Sequence, residues 1–323
     1  MMKHVLLRMR SRGDGSHDPT GSRPDPRAGF TMVELLITSV LAGFIIIPMV
    51  GMFNAQQRSY ISQNEVTSMQ QAARVGLAMI ARAARSTGYQ VPEATAIRVS
   101  NSVSGADSVT LTGNFNSMPQ LTINNHDTVN NVISVASGSG LSASIVGTML
   151  MLYDDSDYHT VTVTAYVAGL LGADDTITFQ DSVSPINYVA GAAKDYTGGT
   201  MVGIESITYS VSTAVAGRPR LMADRNLTAG GALPILDYVE DLQFAYGLDT
   251  DADGAVDAWS NAPADTTQVR MIRVGILARA ASDDTVHWTG SRPSLEDHGM
   301  AVTTDGYRRS LAQVTEAVRN LAL

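Results

Sequence analysis

The chain has 323 residues, enough for one or two domains with a sizeable core, and its formal charge is −9. With 22 basic against 31 acidic side chains it lacks the composition for a broad basic surface, so we expect no nucleic-acid partner. Cysteine is absent, whereas exported bacterial domains are commonly stabilised by disulfides. We therefore expect core packing, or a bound metal, to stabilise this domain.

Residues 1–29 form a polar, basic leader rich in Gly, Pro, Asp and Arg. The leader holds six Lys or Arg and three Asp, so the remaining chain has 16 basic and 28 acidic side chains and a charge of −12. It differs from an ordinary secretory signal, because the apolar stretch begins after Gly29 rather than within the leader.

Residues 30–53 are apolar except for Glu34 and predict a membrane-spanning helix of about 36 Å, longer than a hydrocarbon core of about 30 Å. The basic leader predicts a cytoplasmic N-terminus. Pro48 removes one helical hydrogen bond and predicts a kink. A carboxylate costs about 2.5–3.5 kcal/mol at the centre of a bilayer, so Glu34 is expected to have a function. An ordinary single-span anchor would explain the apolar run but not Glu34.

Residues 54–92 predict a second, amphipathic part of the same helix and its transition to the rest of the chain. Apolar residues recur there at three- and four-residue spacing, which indicates one buried stripe: Val66, Met69, Ala73, Leu77, Ile80 and Ala84. Gly88 is the expected C-terminal cap, and Pro92 prevents the helix from continuing.

Residues 93–323 predict a β-rich exported head, either one body or two subdomains that divide near residue 200, with one body favoured. Alternating patterns predict strands at Ser108–Thr112, His159–Val167, Thr176–Phe179, Ile207–Val211 and Gln268–Ala278. In the second of these, the odd-numbered residues from His159 to Val167 are expected on one face. Residues 113–150 are polar and are expected to form loops or an irregular insertion.

Asp249, Asp251, Asp253 and Asp257, with Gly254 at the sixth position, match the first nine positions of an EF-hand loop. Alternate oxygen ligands in a tight loop can converge on one hard cation, so the run is a candidate calcium site. Ser260 stands where the bidentate glutamate would be, and the preceding residues indicate a strand rather than a helix. The alternatives are a calcium loop on a β scaffold and an acidic turn.

The junction Ala28-Gly29-Phe30-Thr31-Met32-Val33-Glu34 closely resembles the prepilin processing site of type IV pilins and type II secretion pseudopilins. The resemblance implies that a prepilin peptidase cuts between Gly29 and Phe30 and methylates the new N-terminus. It implies that Glu34 pairs with the N-terminal amine of a neighbouring subunit during assembly. The implied fold class is α+β and type IV pilin-like, a long N-terminal helix packed on a β-rich globular head.

Further segments resemble the PilW-type minor pilins in this order: Arg82–Tyr89, Val239–Gly247, Asp249–Asp257, Val269–Val274, Asp305–Arg309 and Ala317–Leu321. The resemblance covers residues 28–92 and 200–323, whereas residues 93–199 resemble no named family. Two departures are the lack of cysteine and Ala28, where the family commonly has a basic residue.

The resemblance implies a minor pilin in the tip or initiation complex of a type IV pilus. Its implied partners are other minor pilins, the major pilin, a PilY-type tip adhesin, the prepilin peptidase and the membrane. It would lie in the bacterial inner membrane with a periplasmic C-terminus, then in the pilus at the cell surface. The alternatives are a minor pseudopilin of a type II secretion system and a surface adhesion or binding module. No catalytic motif was found, so no enzyme is expected.

Overall fold

A computed structural model of the protein describes residues 29–181, 194–225, 231–301 and 304–321. The chain divides into two compact units, Met1–Arg58 and Ser59–Leu323. The predicted leader, except for Gly29, lies outside the described residues.

In the first unit, helix α1 (Met32–Ser86, continuing into the second unit) begins two residues after Phe30. Every described residue from Gly29 to Arg58 is exposed except Gly43, which is half-buried. The helix is long and apolar enough to cross a membrane, with a mean hydropathy of 2.3 over its most apolar stretch. Such a fully exposed apolar surface needs a covering of lipid or other helices in water.

Pro48 lies inside the continuous helix. Its ring carries no N–H, so one main-chain hydrogen bond is missing at that turn. The kink expected there stays a prediction.

In the second unit, the stretch of α1 from Ser59 onward buries one face. The stripe predicted from the sequence is confirmed: Met69, Ala73, Leu77, Ile80 and Ala84 are buried, and Val66 packs against the same core. Sequence reasoning overlooked Gly76 on this face. A Cβ there would lie 2.8 Å from Ile276 Cδ1 and 3.1 Å from Leu236 Cδ1, so glycine permits a close approach between helix and sheet.

Helix α1 ends near Gly88, whose φ of +82° suits glycine and matches the expected cap. A short helix α2 and sixteen strands follow among the described residues: α2 (Glu93–Ala96), β1 (Ile97–Ser100), β2 (Ser108–Gly113), β3 (Leu121–Asp127), β4 (Val132–Val135), β5 (Met149–Tyr153), β6 (Tyr158–Val167), β7 (Asp175–Asp181), β8 (Thr200–Ser212), β9 (Arg220–Arg225), β10 (Leu233–Asp237), β11 (Val239–Leu248), β12 (Ala258–Ser260), β13 (Val269–Arg279), β14 (Gly290–Ser291), β15 (Thr304–Asp305) and β16 (Arg309–Ala317).

The long strand β8 belongs to two structures at once. Its first residues pair with β3 and β5, and the order β8-β3-β4-β7-β6-β5 closes on itself through the β5–β8 pairing. This closed six-stranded arrangement is called the barrel below. The later residues of β8 pair with β2 and β9 in an open sheet of order β1-β2-β8-β9-β10.

A second sheet has the order β12-β11-β13-β16, and all its pairings are antiparallel. The α1 stripe packs with residues of both open sheets in one hydrophobic core, which includes Leu221, Phe244 and Ile276. The barrel has a separate core of twelve buried residues, among them Ile133, Leu150 and Ile177. The second unit therefore has two adjoining hydrophobic cores.

The structure confirms the five predicted strands as parts of β2, β6, β7, β8 and β13. The expectation of loops over residues 113–150 is wrong, because β3, β4 and the start of β5 lie there and form half of the barrel. The strand β3 is mostly polar and β4 has only four residues, so neither carries a long apolar alternation that a local pattern would reveal.

The predicted facing of β6 is correct at Val161 and Val163, which are buried, but wrong at Val167, which is 63% exposed. The register with β7 shifts between Val163 and Ala165. A β-bulge inserts one residue, so every side chain after it points to the opposite face.

Candidate functional site

The predicted processing junction is exposed. Gly29 and Phe30 precede α1, and Phe30 is 77% exposed. A Cβ built on Gly29 would meet no atom within 4 Å. The two residues are therefore accessible to a peptidase, and the predicted cleavage and methylation stay predictions.

Glu34 lies in the first turn of α1, and Thr31 is the N-cap of this helix. The Thr31 hydroxyl accepts a hydrogen bond of 3.2 Å from the Glu34 N–H, and the Thr31 carbonyl accepts one of 3.1 Å from the Leu35 N–H. Thr-x-x-Glu has the spacing of a capping box, of which the structure shows the half made by Thr31. An acid in the first turn also interacts favourably with the helix dipole by about 0.3–1 kcal/mol. Sequence analysis missed this local role, although the spacing was readable.

The Glu34 carboxylate is exposed and has no hydrogen-bond or ion-pair partner within the described part of the chain. Capping alone leaves both of its oxygens free to accept bonds from another molecule. Its predicted pairing with a neighbouring amine is compatible with this geometry and stays a prediction.

The acidic run forms the connection between β11 and β12, on a β scaffold as the sequence indicated. One carboxylate oxygen from each of Asp249, Asp251 and Asp257 lies within 4.8 Å of the others. Asp253 is not in this group, and its carboxylate accepts a bond of 2.7 Å from the Ala255 N–H. The geometry therefore brings together three of the four predicted ligands.

The loop also has protein partners for its acids. Arg270 Nε lies 3.1 Å from Asp249 Oδ2, and the carboxylate of Asp249 accepts bonds from the N–H groups of Asp253 and Gly254. Hydrogen bonds from the N–H and hydroxyl of Thr250 lower the pKa of Asp257. Oxygen ligands of this kind suit a hard cation, and calcium binding stays a prediction.

A buried acid that the sequence did not single out ties the second sheet to the segment before β15. Asp241 is almost fully buried and accepts hydrogen bonds from Arg292 Nη1 at 3.1 Å and from Gln243 Nε2 at 3.0 Å. The same carboxylate lies 2.7 Å from Nδ1 of His298. Removing one partner of such a buried ion pair typically lowers the stability of a protein by about 3–5 kcal/mol. Asp241 therefore holds this segment against the second sheet.

A second buried acid joins the loop between β1 and β2 to β11. Asp107 accepts bonds of 2.7 Å from the Ser102 N–H and 2.9 Å from the Phe244 N–H, and its own N–H donates to the Leu242 carbonyl. Burial outweighs these bonds and raises the pKa of Asp107 to about 6. The first open sheet is thereby linked to the second through a carboxyl group that titrates close to neutral pH.

Several motifs behind the PilW resemblance meet around β16. The Arg309 guanidinium forms charge-assisted hydrogen bonds to Glu240 at 2.6 Å and to Asp305 at 2.6 and 2.7 Å, and these partners raise its pKa. The guanidinium of Arg279 lies 4.0 Å from the centre of the Tyr307 ring. Glu240, Asp305, Tyr307 and Arg309 of these motifs, together with Arg279, therefore hold the edge of the second sheet.

A long apolar N-terminal helix followed by a large β-rich unit is an α+β arrangement consistent with a pilin-like fold. Residues 208–320 match the model of the family described as Type IV Pilus-assembly protein W. The predicted resemblance to PilW-type proteins is thus confirmed for about a third of the chain, from the later part of β8 to the residues that follow β16. The barrel and the N-terminal helix lie outside the matched residues.

No curated protein and no solved structure matches the chain at a significant level. The similarity to this family suggests association with the type IV pilus machinery, and the apolar helix suggests membrane anchoring.

Proposed function

We propose that the protein is a minor pilin subunit, cleaved after Gly29, methylated at Phe30 and built into the tip or initiation complex of a type IV pilus. Before assembly it spans the inner membrane once, with its second unit in the periplasm. Its partners are then other minor pilins, the major pilin and a PilY-type tip adhesin.

The observation that carries this proposal is the combination of the PilW match with an apolar helix whose described residues up to Arg58 have no buried position. A lone anchor needs an apolar surface, but it does not need a carboxylate near one end. Lipid covers the apolar side chains before assembly, and the helices of neighbouring subunits would cover them afterwards.

In this proposal, Glu34 sets the axial position of the subunit. The new N-terminal amine and the carboxylate of a neighbour are each costly to bury alone in an apolar bundle, and they are less costly together. A subunit that is out of position by one helical turn leaves both charges unpaired. Glu34→Gln keeps the size of the side chain but removes the charge, so it should be processed normally and incorporated poorly. Glu34→Asp is the matched variant that keeps the charge, and normal incorporation of Glu34→Gln would refute this role.

The test of the proposal is mass spectrometry of the N-terminal peptide in sheared surface filaments and in the membrane fraction. A peptide that begins at methylated Phe30 and occurs in the filaments is the expected result. An intact leader in both fractions would overturn the proposal.

A second candidate is a minor pseudopilin of a type II secretion system, which shares the processing junction. In that case the processed peptide would be found in membranes and be absent from pili. The match over residues 208–320 to a pilus-assembly family favours the pilus.

A further inference from the structure

Two histidine side chains lie close to each other in the barrel. His126 is near the end of β3 and His159 is at the start of β6, and 4% of the first side chain and 12% of the second are exposed. Both rings contact the buried rings of Phe179 in β7 and of Tyr196 before β8, with 5.7 to 6.4 Å between ring centres. These four residues are called the histidine cluster below.

A hydrogen bond to His126 attaches the segment before β8 to β3. The Tyr196 N–H donates to Nδ1 of His126 at 3.1 Å, and the His126 main-chain N–H donates to the Thr197 hydroxyl at 3.0 Å. A ring nitrogen of histidine accepts a hydrogen bond when it carries no proton. A proton on Nδ1 would bring two donors face to face, so this attachment requires the neutral form of His126. Residues 194–197 are called the latch segment below.

Burial favours the neutral form of both rings. It lowers the pKa of His126 and of His159 below 6.5 and outweighs the attraction of Asp195 and Asp181. These two acids lie 4.0 Å from His126 Nδ1 and 3.0 Å from His159 Nε2, but both are more than 60% exposed, so solvent screens them. When both rings are charged they also repel each other across the cluster.

The charged groups that face the two rings come from several elements: Asp127 at the end of β3, Asp157 before β6, Asp181 at the end of β7, and Lys194 and Asp195 in the latch segment. Lys194 lies 5.2 Å from the centre of the Tyr196 ring, and Asp154 balances its charge at 2.7 Å. Residues 182–193, between β7 and the latch segment, contain no Asp, Glu, Lys, Arg or His. Protonation of the two histidines is therefore the change that acidification brings to the interior of this cluster.

We infer that the histidine cluster is an acid-sensitive latch, in which protonation of His126 and His159 releases the latch segment from β3 and opens this end of the barrel. Release separates the two charged rings and lets them reach water. The barrel has a hydrophobic core of its own, so the core around α1 stays intact when the latch opens. The inference goes beyond the proposed function, because it concerns the response of the barrel to pH and does not depend on processing at Gly29.

The direction of the pH effect follows from the lowered pKa values. The closed barrel binds fewer protons than the open one, so closure is favoured above pH 6.5 and weakens as the pH falls below it. Each histidine shifts the opening equilibrium by up to about tenfold per pH unit, until it is also protonated in the closed barrel. Two histidines acting together therefore give an acid response that a single surface histidine cannot give.

Hydrogen–deuterium exchange of the full chain in detergent tests the latch at pH 7.5 and 5.5, with rates corrected for the intrinsic pH dependence of exchange. We expect the protection of residues 195–199 to fall at least tenfold at pH 5.5, while that of β13 stays unchanged. An equal loss in β13 would indicate acid unfolding of the whole unit and would overturn the inference. So would full protection of the latch segment at both pH values.

Variants separate the histidines from other acid effects. In His126→Asn an amide oxygen lies near the place of Nδ1 and still accepts the Tyr196 N–H without titrating, so with His159→Gln it should abolish the response. His159→Gln alone leaves the bond to Tyr196 in place and should reduce the response at least threefold, which keeps the test decisive if His126→Asn does not fold. His287→Gln, at a side chain 45% exposed outside the barrel, is the control and should keep the full response. An undiminished response in His159→Gln would overturn the inference.

Discussion

The buried carboxyl group of Asp107 should make the stability of the second unit depend on pH. The pKa of Asp107 is raised from 3.8 to about 6 by burial, and the side chain is almost fully buried. A shift of this size corresponds to about 3 kcal/mol between the two protonation states. A raised folded-state pKa contributes stability that is fully present below pH 3.8 and is lost as the pH rises through 6.

The perturbation is Asp107→Asn, which removes the titration. The amide keeps one acceptor oxygen but turns an NH₂ group towards the N–H of Ser102 or Phe244, a constant cost of about 1–3 kcal/mol. Because the variant does not titrate at this position, the free-energy difference between the two proteins should vary with pH. Lowering the pH from 7.5 to 4.5 should raise the free energy of unfolding of the wild type, relative to that of the variant, by about 2 kcal/mol. This is most of the effect of about 3 kcal/mol that the full pKa shift gives.

The assay is urea unfolding of the full chain in detergent at several pH values, followed by the fluorescence of Trp259 and Trp288, both in the second unit. The pKa values of His126 and His159 are lowered by burial, and they act in the opposite direction below pH 6.5. Both histidines are present in the wild type and in the variant, so their contributions cancel in the difference between the two free energies of unfolding. Asp155→Asn, at an exposed position, is the control for loss of a charge. A difference that does not change between pH 7.5 and 4.5 would refute the reasoning.

Three further predictions concern packing, strain and the acidic loop. Gly76→Ala should destabilise the second unit by about 1–2 kcal/mol in urea unfolding, because overpacking against Ile276 exceeds the gain in helix propensity. The control is Gly51→Ala, which should not destabilise the second unit because no atom lies within 4 Å of a Cβ at that position. Leu171→Gly should stabilise the fold by about 1 kcal/mol by relieving its left-handed backbone, and an unchanged or lower midpoint would contradict this. Calcium at 1 mM should raise the melting temperature relative to EDTA, and Asp251→Asn should abolish this rise. Identical melting temperatures in calcium and in EDTA would exclude the calcium site.

Much of the helix and several strands could be predicted because their signal is local. The spacing of Met69, Ala73 and Leu77 reports directly which face of α1 is buried. The strands β6, β8 and β13 combine alternation with β-branched residues, and all three were identified. The acidic loop was correctly placed between strands, because Phe244 and Tyr246 precede it in an extended pattern.

Other parts of the fold depend on partners distant in the sequence. The strand β3 pairs with β8, and β4 pairs with β7; the paired residues are forty or more positions apart in the sequence. The bulge in β6 is defined by the pairing of β6 with β7. The sequence of β6 alone therefore does not predict that Val167 is exposed.

The candidate sites divide in the same way. Gly29, Phe30 and Glu34 lie within six consecutive residues, so the sequence alone is enough to predict them as a site. Asp107 and Asp241 resemble ordinary surface acids in the sequence. They are buried because segments some fifty to more than a hundred positions away close over them.

By itself the sequence predicted the apolar helix, the buried face of α1 and the PilW-like character of the C-terminal segments, all of which are confirmed, and a processing motif that stays a prediction. These follow from residue type at short spacing, where periodicity and hydropathy act within one element. The tertiary structure alone decided the closure of the barrel, the burial of Asp107 and Asp241, and the left-handed backbone of Leu171. Pairing, burial and electrostatic surroundings are properties of residues brought together across long stretches of chain, and no local pattern encodes which of them will meet.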